Sequence, residues 1–194
     1  MDNGRVESFG LTESIIEKYL ADDIQLNSFV EYNSSDAPGS TLIRLRRSEI
    51  VNESNEIKNS FFIDEQLSVN ITFEVLIETN DLALGFNLYN QRDVHIFSSH
   101  QPKIVETLKP GIYQTTVTLP KNFLSEGVHY CGVAAMSYNG QFVIHFHDVK
   151  KFSFNILDKN TGDTARGIYT GEIPGVIRPI LEWESVKSLN KKNN

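Results

Sequence analysis

The sequence of 194 residues contains one cysteine, Cys131, so no disulfide bond can form within the chain. No apolar run approaches the ~20 residues that a membrane-spanning helix needs, and residues 1–5 lack the basic-then-apolar order of a secretory signal. Lys and Arg number 18 against 25 Asp and Glu, and the net charge of −7 disfavours contact with nucleic-acid phosphates. We therefore expect a cytoplasmic protein with no direct membrane insertion and no nucleic-acid partner, in which Cys131 is a small buried apolar residue.

Sequence motifs of common enzyme classes are also missing. The chain has no Gly-x-x-x-x-Gly-Lys-Ser/Thr loop to hold a nucleotide phosphate, no Gly-x-Ser-x-Gly elbow and no Cys-His signature. Glu74 and Glu78 fall on one face of a predicted strand, whereas glycosidase carboxylates oppose each other across a bound sugar. We therefore predict a non-catalytic domain without a cofactor, in which these two glutamates are solvated.

The first forty residues differ in pattern from the rest. Residues 11–20 carry apolar side chains at spacings of three and four, which predicts a short amphipathic helix with Thr12 as its N-cap. Residues 27–40 include the run Asn33-Ser34-Ser35-Asp36-Ala37-Pro38-Gly39-Ser40, which is typical of a linker or long loop. We divide the chain accordingly into 1–26, a linker at 27–40, a main domain at 41–185 and a frayed tail at 186–194.

An alternation of apolar and polar residues with period two begins near residue 41. In the clearest strand, at 67–79, Val69, Ile71 and Phe73 point to one face while Asn70 and Thr72 point to the other. Asn139-Gly140 is a strong signal for a tight hairpin. The predicted strands are 41–51, 67–79, 82–90, 94–98, 111–119, 128–138, 141–147 and 152–156.

About eight closely spaced strands without intervening helices predict an all-β fold. Parallel sheets need crossover helices, and none is visible, so we expect an antiparallel β-sandwich of immunoglobulin-like or jelly-roll type. A late strand is predicted at 176–183, where Pro179 confines it to a sheet edge.

Several segments resemble one known family, in the same order along the chain. The opening, with Gly4, Gly10 and a helix ending near Tyr19, is similar to the end of an ABC-transporter nucleotide-binding domain. Segments 62–69, 84–88, 111–113, 124–130 and 148–154, and the closing Gly175-Val176-Ile177-Arg178-Pro179 with Trp183, resemble the C-terminal carbohydrate-binding domain of O-antigen polysaccharide exporters. That domain belongs to the ATP-binding subunit of Wzt-type transporters.

The resemblance implies a detached cargo-recognition domain. Residues 1–26 would be a remnant of the nucleotide-binding domain and its linker helix, and the missing ATPase domain would connect the chain to the transporter's membrane subunit. The family binds a bacterial O-polysaccharide, often at its non-reducing end, on the cytoplasmic face of the inner membrane. It is also expected to form homodimers, in some cases by exchanging the C-terminal strand, here Val176, Ile177, Pro179, Leu181 and Trp183.

Sugars present paired hydroxyl groups and an apolar C–H face, which planar amides and aromatic rings match. The outward positions of the central strands supply such side chains. The predicted carbohydrate-binding residues are Asn87, Tyr89, Gln114, Thr116, Tyr138 and His145. The alternative interpretation is the ordinary solvated side of an antiparallel sheet. Arg44, Arg46 and Arg47 are interpreted as a charged strand edge that discourages aggregation.

Trp183, the single tryptophan, is predicted to anchor the terminal strand in an apolar slot here or on a partner subunit rather than to stack on sugar. His145 and His147 form a His-x-His pair that a third histidine, His95 or His129, could complete into a metal site. We expect no metal, because the pair lacks a clear carboxylate partner. Two alternatives to sugar binding remain open, namely a dimerisation or protein-interaction module and a cupin-like metal enzyme.

Overall fold

The computed structural model describes residues 26–101, 106–159 and 162–187, and the helix predicted at 11–20 lies outside them. These residues form nine strands and no helix, which confirms the predicted all-β class. The strands are β1 Phe29–Glu31, β2 Ile43–Val51, β3 Ser60–Phe62, β4 Leu67–Val75, β5 Ala83–Asn90, β6 His95–His100, β7 Gly111–Leu119, β8 Gly127–Ser137 and β9 Val143–Leu157. Nothing among the described residues is a helix long and apolar enough to span a bilayer.

The nine strands form two sheets that face each other. One sheet has the order β1-β2-β4-β7 and the other the order β3-β9-β8-β5-β6. All neighbours are antiparallel except β3 and β9, where Ser60 pairs in parallel with Asn155. The predicted antiparallel sandwich is therefore confirmed, with one parallel pair at the edge of the five-stranded sheet.

Period-two alternation determines which face of each strand enters the core. Val69, Ile71 and Phe73 of β4 are buried, as the sequence predicts, and Phe86 and Leu88 of β5 face them from the other sheet. Burial of each large side chain contributes about 1.5–3 kcal/mol, so the two facing stripes hold the sheets together. Cys131 of β8 lies in the same core and is completely buried.

The segment 27–40, interpreted as a linker, contributes to the sandwich. Residues Phe29–Glu31 form β1 along β2, and Tyr32 donates a hydrogen bond of 2.7 Å from its hydroxyl to Asp148 Oδ2 of the other sheet. Because β1 covers one side of β2 and β4 the other, the arginines of β2 do not form a sheet edge. Instead Arg46 pairs with Glu74, and Arg47 pairs with Glu31 and Glu49.

The predicted strands 141–147 and 152–156 are one continuous strand, β9. Its pairing with β8 shifts register between Cys131 and Val133 and again between Ala135 and Met136. At the first shift a Cβ added to Gly132 would lie 3.1 Å from the Asp148 carbonyl oxygen, so the absence of a side chain lets the two backbones approach. The bulge breaks the alternation of β9, which is why the sequence pattern suggests two strands.

The C-terminal segment 162–178 is held by a buried ion cluster. Asp158 Oδ2 accepts hydrogen bonds from Arg166 Nε at 2.9 Å and from Arg178 Nη1 at 2.7 Å, and Arg166 Nη2 donates to Glu126 at 2.9 Å. Burial alone would raise the pKa of Asp158, but hydrogen bonds from Arg166, Thr164 and Arg178 outweigh it and hold that pKa below its usual value. The cluster fixes this segment against the start of β8.

Beyond Arg178 the chain leaves the sandwich. The strand predicted at 176–183 is not formed within the described chain, where Ile177 makes one bridge to Leu124 and Arg178 N–H donates to the Phe123 carbonyl at 2.9 Å. Pro179 follows without an N–H group, so the ladder ends there. Leu181 is 63% exposed and Trp183 89% exposed, so this chain buries neither side chain.

Candidate functional site

The six side chains predicted to bind sugar occupy three separate places. Asn87 and Tyr89 lie on β5, on the face of the five-stranded sheet that points away from the core. Gln114 and Thr116 lie on β7, on the outer face of the opposite sheet. Tyr138 and His145 belong to the hairpin that joins β8 to β9. A single site therefore cannot contain all six residues.

The outer face of the five-stranded sheet gathers ring, amide and imidazole groups. The His95 ring stacks on Tyr89 with centroids 4.6 Å apart, and His95 Nε2 lies 3.1 Å from Ser98 Oγ. Ser98 Oγ in turn donates to Asn87 Oδ1 at 2.7 Å, and Asn87 Nδ2 lies 3.4 Å from His147 Nε2. We call this group the outer-face site, consisting of Asn87, Tyr89, His95, Ser98, His147 and Lys150.

Lys150 of the outer-face site and its partner Asp93 both have strained backbone conformations. Lys150 has a φ of 56° and Asp93 a φ of 66°, values in the left-handed region that residues other than glycine rarely adopt. Their side chains form an ion pair, and Lys150 Nζ lies 4.7 Å from the centroid of the Tyr89 ring. Strained residues of this kind persist where the surrounding structure requires them, and they concentrate at functional sites. Here the bulge in β9 directs Lys150 across the sheet toward β5.

A second polar area lies on the opposite sheet around Asn70. Asn70 is buried, donates to Asn55 Oδ1 at 3.1 Å and accepts a hydrogen bond of 2.8 Å from Thr116 Oγ1. Gln114 and Thr116 line a shallow cavity of ≈ 250 Å³ there, beside the turn at 52–56. This area has amides and hydroxyls but no aromatic ring among its lining residues, so it offers less for the C–H face of a sugar.

Internal hydrogen bonds engage both nitrogens of His145. Nδ1 lies 2.9 Å from Ser40 Oγ and Nε2 lies 2.8 Å from Ser137 Oγ. Burial lowers the pKa of His145, and the nearby Asp81 carboxylate opposes that shift. Tyr138 is half exposed and packs on Phe142 with ring centroids 5.6 Å apart. His145 therefore ties the hairpin to Ser40 rather than presenting a free imidazole.

The His-x-His pair does not act as a unit. Because the register of β9 shifts between Ala135 and Met136, His145 contacts Ser40 and Ser137 while His147 contacts Asn87 of the outer-face site. His129 lies in the core, stacked on Phe154. Within residues 26–101, 106–159 and 162–187, no three His, Cys, Asp or Glu side chains come together as potential metal ligands.

Sequence reasoning assigned two members of the outer-face site, Asn87 and Tyr89, to sugar binding. It named His95 and His147 only as possible metal ligands and missed Ser98 and Lys150. Asn87 and Tyr89 follow from the alternation of β5, which places them opposite Phe86 and Leu88. Lys150 carries no such signal, because the bulge that directs it depends on the approach of β9 to Gly132. His95 could have been found from the short connection at 91–94, which puts it beside Tyr89 in an antiparallel pair.

The two facing sheets define a β-sandwich domain with an exposed polar and aromatic sheet face. Among solved structures, the chain has the fold of the C-terminal domain of Wzt, with a TM-score of 0.61 and 9% identity over 76% of this chain and 86% of that one. A Niemann-Pick type C2 protein from Japanese carpenter ant matches with a TM-score of 0.43 and 12% identity, over 63% of this chain and 98% of that one. No protein-family model and no curated protein sequence matches.

Proposed function

We propose that this domain binds a bacterial polysaccharide at the outer-face site and catalyses no reaction. The observation that carries the proposal is the grouping of Asn87, Tyr89, His95 and His147 on one sheet face, with Lys150 directed onto it by a strained backbone. The exposed His95 and His147 imidazoles suit sugar hydroxyls, and the His95 ring, which stacks on Tyr89, offers a flat face for sugar C–H groups. Asn87 is buried and positions these groups through its bonds to Ser98 and His147. The fold shared with the C-terminal domain of Wzt supports this interpretation.

We further propose that the polysaccharide is the cargo of an ABC exporter. The sequence resemblance described above supports the finer assignment, namely an O-antigen recognised near its non-reducing end on the cytoplasmic face of the inner membrane. In this proposal a separate ATPase domain links the sandwich to the membrane subunit. Each hydroxyl contact contributes about 0.5–1.5 kcal/mol, so a single site is expected to bind weakly.

Replacing Tyr89 with Ala is expected to weaken binding of the cognate O-polysaccharide about tenfold or more, a loss of about 1.4 kcal/mol. The substitution removes the ring on which His95 stacks and over which Lys150 lies, so these two side chains lose their positions together. Titration calorimetry with a panel of bacterial O-polysaccharides, including that of the source strain, measures the effect.

Gln114→Ala is the matched control, because Gln114 is exposed on the opposite sheet. It should bind as the wild type does. If Gln114→Ala abolishes binding while Tyr89→Ala has no effect, the site lies around Asn70 instead. If the folded wild type binds none of the glycans, the interaction-module alternative is favoured over carbohydrate recognition.

Exposed apolar side chains after Arg178 support a proposal of homodimerisation. Ile180, Leu181 and Trp183 follow Arg178 and stay exposed, although large apolar side chains favour burial. In the proposal, residues 179–183 dock on a second copy, while Val176, Ile177 and Arg178 keep their contacts with their own sandwich. Two outer-face sites in one assembly would raise the effective affinity for a polysaccharide that reaches both.

Trp183→Ala is expected to weaken the dimer about thirtyfold, since a buried tryptophan anchor commonly contributes about 2 kcal/mol or more. Sedimentation velocity over a range of protein concentrations gives the dissociation constant. Val186→Ala is the control, because Val186 is fully exposed and lies outside the segment 176–183. A wild-type protein that stays monomeric at high concentration would contradict the dimer.

A further inference from the structure

A polar cavity lies next to the outer-face site, at the end of the sandwich where β8 begins. It has a volume of ≈ 380 Å³, and its walls come from the turn after β5, the start of β8 and the C-terminal segment at 172–178. That volume falls in the lower part of the range of roughly 300–1,000 Å³ that small-ligand sites occupy. The ion cluster around Asp158 holds two of these walls together, because it joins Glu126 to Arg178.

One short turn connects the cavity to the outer-face site. Asn90 Oδ1 accepts hydrogen bonds from the N–H groups of Arg92 at 3.0 Å and Val94 at 2.9 Å, which fixes the turn. Consecutive residues then point to different sites, since Asp93 pairs with Lys150 at the outer-face site and Arg92 lies at the cavity. The turn at 91–94 is therefore shared by the outer-face site and the cavity.

The mouth of the cavity carries a loosely held ion pair. Arg92 Nη2 from the turn and Glu172 Oε1 from the C-terminal segment lie 3.9 Å apart, and both side chains are largely exposed. Such a pair contributes little by itself. The guanidinium and the carboxylate are therefore available to hydroxyl groups of a ligand. The guanidinium donates hydrogen bonds to hydroxyl oxygens, and the carboxylate accepts hydrogen bonds from hydroxyl groups.

The charges of the cavity favour a neutral ligand. Arg92 and Arg178 are balanced by Glu126 and Glu172 among the lining residues, so neither an anion nor a cation gains from the local field. Ile173 and Pro174 add an apolar wall beside these polar groups. Planar polar groups next to an apolar wall are the combination that a neutral sugar ring requires.

We infer that this cavity is a second subsite, which holds a neutral sugar unit further along the polysaccharide bound at the outer-face site. The inference rests on the proposed function and extends it, because it makes the domain a reader of several consecutive sugars rather than of one. The C-terminal segment then has a direct part in recognition, since Glu172 and Pro174 form one wall of the subsite.

The test uses oligosaccharide fragments of the cognate O-polysaccharide that contain one, two or three repeat units, each too short to join two copies of the protein. Titration calorimetry of the wild type should give an affinity that rises with fragment length. Arg92→Ala and Glu172→Ala should each lower the affinity for the longest fragment about fivefold to tenfold. Both variants should bind the shortest fragment as the wild type does.

Lys109→Ala is the control for loss of a surface cation, because Lys109 is exposed and precedes β7 at the opposite end of the sandwich. It should keep the wild-type dependence on fragment length. If Arg92→Ala and Glu172→Ala bind the longest fragment as tightly as the wild type, the second subsite is refuted while Tyr89-dependent binding still stands. If the wild type binds no fragment of any length, the proposed function itself fails.

Discussion

Replacing Asp158 with Asn is expected to lower the free energy of unfolding by about 3–5 kcal/mol. The Asp158 carboxylate is buried between the guanidinium groups of Arg166 and Arg178, which are themselves buried. The amide of Asn removes the negative charge and leaves two cations close together with only the half-exposed Glu126 to compensate them. Urea unfolding followed by far-ultraviolet circular dichroism, which reports on the strands, measures the loss of stability.

The same substitution should also release the C-terminal segment. Asp158 holds the Arg166 guanidinium through Nε, and Nη1 of the same group donates to the carbonyls of Gly171 at 2.6 Å and Tyr169 at 3.3 Å. Loss of the Asp158 charge therefore weakens the contacts that fix residues 169–171. Amide hydrogen exchange in residues 162–178 is expected to accelerate before the sandwich unfolds.

Glu31→Gln makes the equivalent change at an exposed ion pair. Glu31 pairs with Arg47 at 3.0 Å on the solvent side of β1, and its neutralisation should cost under about 1 kcal/mol. A loss of stability in Asp158→Asn no larger than that in Glu31→Gln would mean that the cluster is not what holds the segment.

The strands of the sandwich could be predicted because their side chains alternate over long stretches. In β4, and in β5 as far as Leu88, each inward residue is apolar and buried, so the pattern determines both the strand and its face. The pattern fails where pairing irregularities intervene. In β9 the bulge beside Gly132 shifts the register, and the continuous strand Val143–Leu157 has no uniform alternation to reveal it.

The segment 27–40 escaped prediction for a different reason. Most of its residues favour loops, yet the three residues Phe29–Glu31 are enough to form a strand that pairs with β2. The hydroxyl of Tyr32 also donates a hydrogen bond to Asp148, which is 116 positions away in sequence. Such long-range partners determine whether a short polar segment becomes a strand, and no local pattern contains them.

Residues of the candidate site could be predicted only where their strands alternate regularly. Asn87 and Tyr89 follow from regular alternation, whereas the role of Lys150 depends on a left-handed backbone that only the packed sheet creates. His145 illustrates the opposite error. Its position on a predicted strand suggested an outward imidazole, but the second register shift turns it toward Ser40 and Ser137.

Acidification from pH 7 to pH 4 is expected to lower the free energy of unfolding by about 3 kcal/mol through His129 alone. The side chain is 1% exposed, its Nδ1 lies 2.9 Å from the Gly127 carbonyl, and Nε2 has no hydrogen-bond partner within the described chain. Burial lowers the pKa of His129 to about 4, and the bond to Gly127 opposes the shift only in part. The folded protein therefore keeps this ring neutral.

The sign of the effect follows from proton binding. In the unfolded chain a histidine has a pKa of about 6.5, so between pH ~6.5 and ~4 the unfolded state binds a proton that the folded state does not. Stability is thus complete above pH ~6.5 and falls as the pH approaches the lowered pKa of His129. Urea unfolding at half-unit steps from pH 7 to pH 4 gives the slope.

His129→Phe tests the assignment, because a phenyl ring can keep the stacking on Phe154, whose centroid lies 5.3 Å from the imidazole, and cannot take up a proton. Its stability should depend much less on pH between 6.5 and 4.5. Asp158→Asn should keep the wild-type slope in that window, since the ion pairs of Asp158 are lost only at the lower pH where its depressed pKa lies. The two variants therefore separate two causes of acid unfolding, a histidine that must become charged in the core and a carboxylate that must lose its charge beside two arginines. A slope that persists unchanged in His129→Phe would assign the loss between pH 6.5 and 4.5 to another group.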